Sequence, residues 1–360
     1  MHCQHINFMI DTIILTLTKD MFQISEPDKF EPSARWALSN NFNRGLQSKQ
    51  NPTKKKLLNG IYKPRLTLSH RISKIGRAIM LKIELSLPKL LFGNNFDELK
   101  YKDFLPIAEK LAVTLKEMGI ITTAQILSEA PVSAIHYSKN ILLTDGYTPY
   151  HYINKIKEAN VRLSLDVNQT DYRNDGHSYR WHSNSYEVIF YDKIRDVEKA
   201  KQSSKRSIEK DSDLQLNLFK AFEKRNKLEV LRMEVRLNKR QKIKQLFKTL
   251  NIRADLNFKK LFKPAISKKV LLHYIETLES KRLPLLDYKT TNDKALLVDL
   301  ILNNPDLGPK QILQIFGLKK VFEIVNPREL RSMFSKYNQR SWYRLMTDVN
   351  KVKIPTLYNP

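Results

Sequence analysis

Leu228–Leu237, LEVLRMEVRL, decides the fold. Val230, Arg232, Glu234 and Arg236 fall on one side of it, and Leu231, Met233, Val235 and Leu237 on the other. A period of two is that of a strand, and one apolar side opposite one charged side is that of a sheet with a single face in the core. The charged side is unusual in placing a carboxylate between two arginines. Two readings are open for it. One is a solvent face carrying cross-strand ion pairs. The other is a metal carboxylate flanked by phosphate-binding arginines.

Strand patterns recur outward from this segment. Ile10–Leu17 alternates, with Ile13, Leu15 and Leu17 on one face. Leu66–Ser69, Ala78–Leu85 and Val132–Leu142 read the same way, and Tyr179–Lys193 contains another strand, SYEVIFYDK. Ser86–Asn95 (SLPKLLFGNN) is expected to be turn-rich, because Pro88, Gly93 and two asparagines break regular structure. Residues 26–60, ending in the basic run Lys54–Lys56, are expected to be a loop insertion. Helical spacing predicts helices over Phe104–Met118, closed by Gly119, and over Thr148–Glu158. The charged stretch Lys199–Asn226 is expected to be a long exposed helix. Beyond Lys239 the chain reads as helical, with a break at Pro327. The expected class is therefore α+β. An antiparallel sheet flanked by helices fills residues 1–240, and a helical C-terminal domain suited to DNA recognition fills 241–360.

Composition narrows the partners. Of 360 residues, 63 are Lys or Arg and 37 Asp or Glu, a formal net charge of +26. A field of that sign captures polyanions, and nucleic acid gains further from counterion release. One cysteine, Cys3, builds neither a disulfide nor a zinc finger and fits a reducing compartment. No apolar run reaches the roughly 18 residues of a membrane span, so no membrane partner is expected. The N-terminal apolar stretch holds Asp11 and lacks a basic leader, so it is not read as a signal peptide. Met9 is a candidate start, leaving residues 1–8 as an upstream extension. The chain has no GxxxxGK[ST], GxGxxG or GxSxG motif, which argues against an ATPase and leaves unwinding to a separate helicase.

Several residues have chemistry to offer. Tyr191 closes the strand EVIFY. A strand-end tyrosine is ordinarily a packing residue, and a tyrosine oxygen also attacks phosphodiesters to give a phosphotyrosine. Lys193 and Arg195 follow closely enough to steady a phosphate. Period two puts His136, Ser138 and Asn140 on one face of AIHYSKNI. His177 and His182 flank Trp181 in NDGHSYRWHSNS, where Trp181 either packs in a hairpin or stacks on unpaired bases beside Arg180. Tyr186 lies five residues before Tyr191 and should face the opposite side.

Taken together these segments resemble a known family. MIDTIILTL (9–17), KIELSLPKLLFGNN (82–95), VSAIHYSKNI (132–141), WHSNSYEVIFYDK (181–193), LRMEVRL (231–237) and RSWYRLM (340–346) are similar, in order and spacing, to the replication initiators of filamentous phages, the gene II protein family, and to related plasmid initiators. The resemblance implies rolling-circle initiation. One origin strand is nicked, its 5′ phosphate stays on a tyrosine, a 3′ hydroxyl is left for the polymerase, and the displaced strand is later rejoined. It implies an HUH-like sheet domain, Tyr191 as nucleophile, Lys193 beside it, and Mg²⁺ or Mn²⁺ as cofactor. It places Glu84 and Glu234 on carboxylate-bearing strands, making them metal candidates. At His136 the phage proteins carry an aspartate, but wider nicking enzymes use strand histidines, so His136 joins the metal candidates. The DNA contacts expected are Arg232, Arg236, Arg180, Trp181, His177, Lys239 and Arg240. The partners implied are origin DNA and the host helicase and polymerase, and the location implied is the cytoplasm of a bacterial host cell.

Two other classes fit the charge. One is a non-catalytic DNA-binding control protein, with a helix-turn-helix over Gln311–Leu318 and Pro327–Phe334. The other is an RNA-binding protein. Convergence of Tyr191, Glu84, Glu234 and His136 separates the nicking reading from the first.

Overall fold

The structure is a computed structural model. It describes residues 9–38, 46–52, 62–73, 76–159, 170–173, 176–196, 229–279, 285, 288, 292–325, 330–331, 333–334 and 336–353. The expected helix at Lys199–Asn226 lies outside them.

Eleven described strands are β1 (Met9–Thr18), β2 (Gln23–Ile24), β3 (Gln47–Gln50), β4 (Arg65–Ser73), β5 (Gly76–Ser86), β6 (Ile120–Ile121), β7 (Val132–Leu143), β8 (Thr170–Arg173), β9 (Ser178–His182), β10 (Tyr186–Asp192) and β11 (Glu229–Leu237). Nine form one antiparallel sheet in the order β3-β4-β5-β1-β7-β11-β10-β9-β8, and β2 pairs β6 apart from it. Helices in chain order are α1 (Leu87–Phe92), α2 (Phe104–Glu117), α3 (Ala124–Glu129), α4 (Pro149–Ala159), α5 (Arg240–Thr249), α6 (Phe258–Leu261), α7 (Pro264–Glu279), α8 (Asp293–Asn303), α9 (Pro309–Ile324) and α10 (Gln339–Lys351). The protein is α+β, with a large antiparallel sheet and flanking helices, as expected.

Contacts divide the chain into two units. The first covers 1–151 and 167–274, and the second 152–166 and 275–360. The sequence reading drew a boundary at 240, whereas α5, α6 and α7 as far as Tyr274 group with the sheet. Apolar side chains explain that grouping. Ile13, Leu15, Leu17, Ile83, Tyr137, Val188, Met233 and Val235 are buried on alternating strand positions. On α5, Ile243, Leu246 and Phe247 are buried, and the helix packs on β7 and β11. Phe104 of α2 meets Phe258 edge-on at 5.0 Å and lies 5.4 Å from Phe262. Tyr186 stacks on Tyr274 at 5.7 Å, so it faces the helices and away from Tyr191, as the odd spacing requires.

The second unit has its own core, formed by Leu296, Leu300, Ile312, Ile315, Trp342 and Met346 among others. Asn304 clips its end. The side-chain amide donates to the Leu300 and Lys353 carbonyls, and its oxygen accepts from the Lys353 amide at 2.7 Å. The first proposed helix-turn-helix piece, Gln311–Leu318, lies inside the longer α9. Residues 326–329 fall outside the described residues.

Two local expectations are corrected. Ser86–Asn95 is not turn-rich throughout, because Pro88 sits in the first turn of α1, where its missing N–H is harmless, and the turn starts only at Gly93 (φ 75°). Within 26–60, 3-10 turns at Pro27–Lys29 and Ala34–Ala37 and the edge strand β3 replace part of the expected loop. β3 reads QSKQ, without apolar alternation, and is held to β4 by backbone pairing.

Candidate functional site

β11 lies between β7 and β10, and their register sets the site. Arg232 pairs with Asn140 on one side and Tyr191 on the other. Glu234 pairs with Ser138 and Ile189, and Arg236 pairs with His136 and Glu187. These rows share one face of the sheet, so His136, Ser138 and Asn140 are aligned as their spacing implied. A register shift between Ile10 and Thr12, where β1 meets β7, lets Asp11 point to this face as well. Extra residues in strands commonly re-aim a side chain in this way.

Arg232 is the hub. A guanidinium has five N–H donors, and all five are used. Nε donates to Glu234 Oε1 (2.8 Å), Nη1 to the Asn95 carbonyl (2.9 Å) and Asn140 Oδ1 (3.0 Å), and Nη2 to Asp11 Oδ1 (2.7 Å) and Ser138 Oγ (3.1 Å). The residue is 2% exposed. It is therefore an internal organiser and not a DNA contact, which corrects the expectation for it.

The loop after α1 supplies the cover. Asn94, itself buried, accepts from the Phe96 and Asp97 amides through Oδ1, which fixes the turn. Asn95 then presents its carbonyl to Arg232 and its Oδ1 to Lys193 Nζ at 2.7 Å. Lys193 also sits 5.2 Å from the Phe96 ring centre and 6.0 Å from that of Tyr191. Burial, followed by the Arg232 charge, pushes its ammonium down to about 7.

Tyr191 donates its hydroxyl to Glu234 Oε1 at 2.7 Å. Arg236 donates Nε (3.1 Å) and Nη2 (2.8 Å) to Oε2 of the same carboxylate. Burial disfavours the Glu234 charge, but Arg236 and Arg232 outweigh it and hold its carboxyl well below the usual range. Burial, with the Glu234 charge behind it, pushes the Tyr191 hydroxyl well up, so it rests protonated. Arg236 is about one-third exposed, and it approaches Glu187 at 3.6 Å, as Arg180 does at 3.7 Å. Both cations lie on this face and are partly exposed, so an incoming phosphate can reach them. Burial, and next Arg236, lowers His136. Its Nε2 lies 3.2 Å from Asn238 Oδ1.

The expected metal set is not assembled. Glu84 pairs across strands with Ile14 and Arg65, and β1 and β7 stand between it and Glu234. At about 4.8 Å per strand spacing that is roughly 14 Å. Both oxygens of Glu234 face guanidiniums, and one oxygen of Asp11 does so too, so a divalent cation beside them would meet Arg232 and Arg236 at close range. The residues present do not fit a metal in this arrangement. Among the described residues, no group of three His, Cys, Asp or Glu is placed to hold one.

The remaining expected DNA contacts divide. Trp181 is a core residue, 1% exposed, stacked on Phe190 at 5.9 Å on the opposite face of the sheet, which removes it as a base platform. His177 is held between Arg195 (2.6 Å from Nε2) and Asp192 (3.5 Å from Nδ1) and is taken up locally. Lys239 and Arg240 are exposed at the start of α5. The sequence reading missed Asp11, Asn94 and Asn95. A lone carboxylate in the apolar opening of β1 was the signal for Asp11, because a buried charge needs a partner. No helix among the described residues is long and apolar enough to cross a membrane.

No family model matches the chain, and no curated protein or solved structure matches it either.

Proposed function

We propose that the chain is a DNA nicking and rejoining enzyme that initiates rolling-circle replication, with Tyr191 as nucleophile on an HUH-like sheet domain. The observation that carries this reading is the hydroxyl of Tyr191 held by Glu234, with a reachable guanidinium, Arg236, on the same carboxylate.

The resting arrangement restrains its own nucleophile. Glu234 is a weak base while two arginines neutralise it, and Tyr191 keeps its proton. A backbone phosphate approaching Tyr191 competes for Arg236. As Arg236 turns to the phosphate, Glu234 loses a stabilising charge and becomes more basic, and it accepts the Tyr191 proton. The tyrosine oxygen bonds to phosphorus, the phosphorus–O3′ bond breaks, the departing O3′ takes a proton from solvent water to become the 3′ hydroxyl, and Glu234 returns its proton to solvent. The 5′ phosphate stays on Tyr191. Reversal rejoins the strand without ATP, because the phosphotyrosine keeps the bond energy. Arg236 and Arg180 stabilise the developing charge. Arg232 acts through Glu234 as a positioning residue. No step is assigned to a metal, and Mg²⁺ or Mn²⁺ enters as an arm of the test. The helical unit serves origin recognition, and host helicase and polymerase act downstream in the cytoplasm of a bacterial host.

A second reading has an observation of its own. The saturation of Arg232 and Glu234 is also what a purely structural ion-pair hub looks like, in a DNA-binding control protein without catalysis.

Supercoiled DNA of the replicon that encodes the chain, incubated with EDTA, Mg²⁺ or Mn²⁺, separates the two. Nicked circles carrying covalent protein with the wild type, and none with Tyr191→Phe, support the nicking reading. DNA binding without nicking under all three conditions supports the second.

A further inference from the structure

The charge of the chain is unevenly placed. Residues 239–274 hold eleven Lys and Arg against one acidic residue, Asp255, whereas residues 275–360 hold fourteen against nine. Ten of the eleven are exposed and Lys242 is half-buried. Asp255 is taken by Lys260 at 2.5 Å. On α5 the exposed cations Arg240, Lys244 and Lys248 recur every fourth residue, a stripe of charges about 6 Å apart along one helix face. Ile243, Leu246 and Phe247 point the other way and are buried.

That orientation decides the partner. A membrane-surface helix inserts an exposed apolar side, but the apolar side of α5 is buried, and no large apolar side chain is exposed anywhere in 239–274. What remains outward is cationic and evenly spaced, which suits the phosphates of a nucleic acid backbone. The stripe starts just past the end of β11, with α5 packed on the Tyr186 side of the sheet. Arg236, which holds Glu234, lies four residues before Arg240, and the Asn238 side chain between them links His136 at 3.2 Å to Glu187 at 3.4 Å.

We infer that the basic face of α5, centred on Arg240, Lys244 and Lys248, is a sequence-independent binding surface for the DNA phosphate backbone. The binding stands without the nicking reading.

The test is DNA binding by the full-length chain, measured by fluorescence anisotropy without divalent cation. The probe is a labelled mixed-sequence DNA, single-stranded and duplex, at KCl from about 50 to about 200 mM. A triple variant, Arg240→Gln, Lys244→Gln and Lys248→Gln, is compared with one losing the same charge on and just before α2, Lys102→Gln, Lys110→Gln and Lys116→Gln, all exposed. The stripe variant is expected to bind about tenfold more weakly at the higher salt and to flatten the slope of log affinity against log salt by about 2 to 3. The control should keep nearly all of its affinity and slope. Equal losses in both variants, or no loss in either, overturn the inference, as does much tighter binding to RNA of the same sequence. The three single variants, each shifting the slope by about 1, give the same reading if the triple variant melts early. A chain that never nicks but binds through the stripe refutes the nicking reading alone, and one that nicks without the stripe refutes this inference alone.

Discussion

Two halves of one sheet carry the same kind of residue to different ends. Glu84 on β5 and Glu234 on β11 are both strand glutamates with basic residues two positions away or directly across. Glu84 has a side chain 38% exposed, and its ion pairs with Arg65 and Lys82 are 3.9 Å long. Glu234 is 5% exposed at its side chain and is held at 2.7 to 3.1 Å by Tyr191, Arg232 and Arg236. Identity and flanking charge are nearly matched, so neither explains the difference. Cover does. The Asn94–Asn95 turn closes over the β7–β11–β10 end, and Asp11 comes in from the irregularity in β1, so the charges there are removed from water and must satisfy one another. Those on β5 keep their water and gain little from their partners.

The sharpest way to break this contrast is Arg232→Met against Arg65→Met. The first leaves Asp11 and Glu234 buried without their shared cation and is expected to cost about 3–5 kcal/mol. The second is expected to cost less than about 1 kcal/mol. Urea unfolding of both variants checks this, and equal costs would dissolve the distinction.

The pH dependence of stability comes next. The folded-state value of Lys193 lies below its unfolded value, so between about 7 and about 10.5 the unfolded chain binds more protons and stability rises with pH. Lys193→Met should lack that rise and be more stable than the wild type at pH below about 7. Glu234 behaves as a depressed carboxylate. Its contribution is fully present above about 4.5, the ordinary glutamate value, and is lost as pH falls through the depressed folded value. Glu234→Gln should flatten that acid limb. Melting temperature against pH for the three proteins reads both effects.

Smaller still is Tyr191→Phe, which removes one hydrogen bond to a charged acceptor and should cost about 1.5 kcal/mol of stability while abolishing covalent attachment to DNA. Smallest is Glu84→Gln, expected to stay within about 0.5 kcal/mol of wild type and to leave nicking intact. A large loss of nicking there would return Glu84 to the site and undo the comparison from the other side.

Much of the fold was legible because period-two alternation is local. LEVLRMEVRL, the opening strand and AIHYSKNI declare their faces within a few residues, and the faces of Tyr186 and Tyr191 follow from their odd spacing. What was not legible depends on distant pairing. Tyr191 and Glu234 are 43 residues apart and meet only through the register that sets Tyr191 beside Arg232. Asp11 faces the site only because the pairing of β1 slips. Arg232 looks like any strand arginine until Asn95, Asn140, Ser138 and Asp11 are seen to fill its donors. Trp181 sits in the same alternating pattern as its polar neighbours, and only the packing against Phe190 shows which face is inside.

The central claim is that Tyr191 bonds covalently to DNA. The direct measurement is peptide mapping of the protein after reaction with single-stranded DNA fragments tiling the replicon that encodes it, followed by nuclease trimming. The expected result is a nucleotide adduct on Tyr191 in the peptide containing EVIFYDK. An adduct on another residue, or none while the protein binds the same DNA, would contradict it.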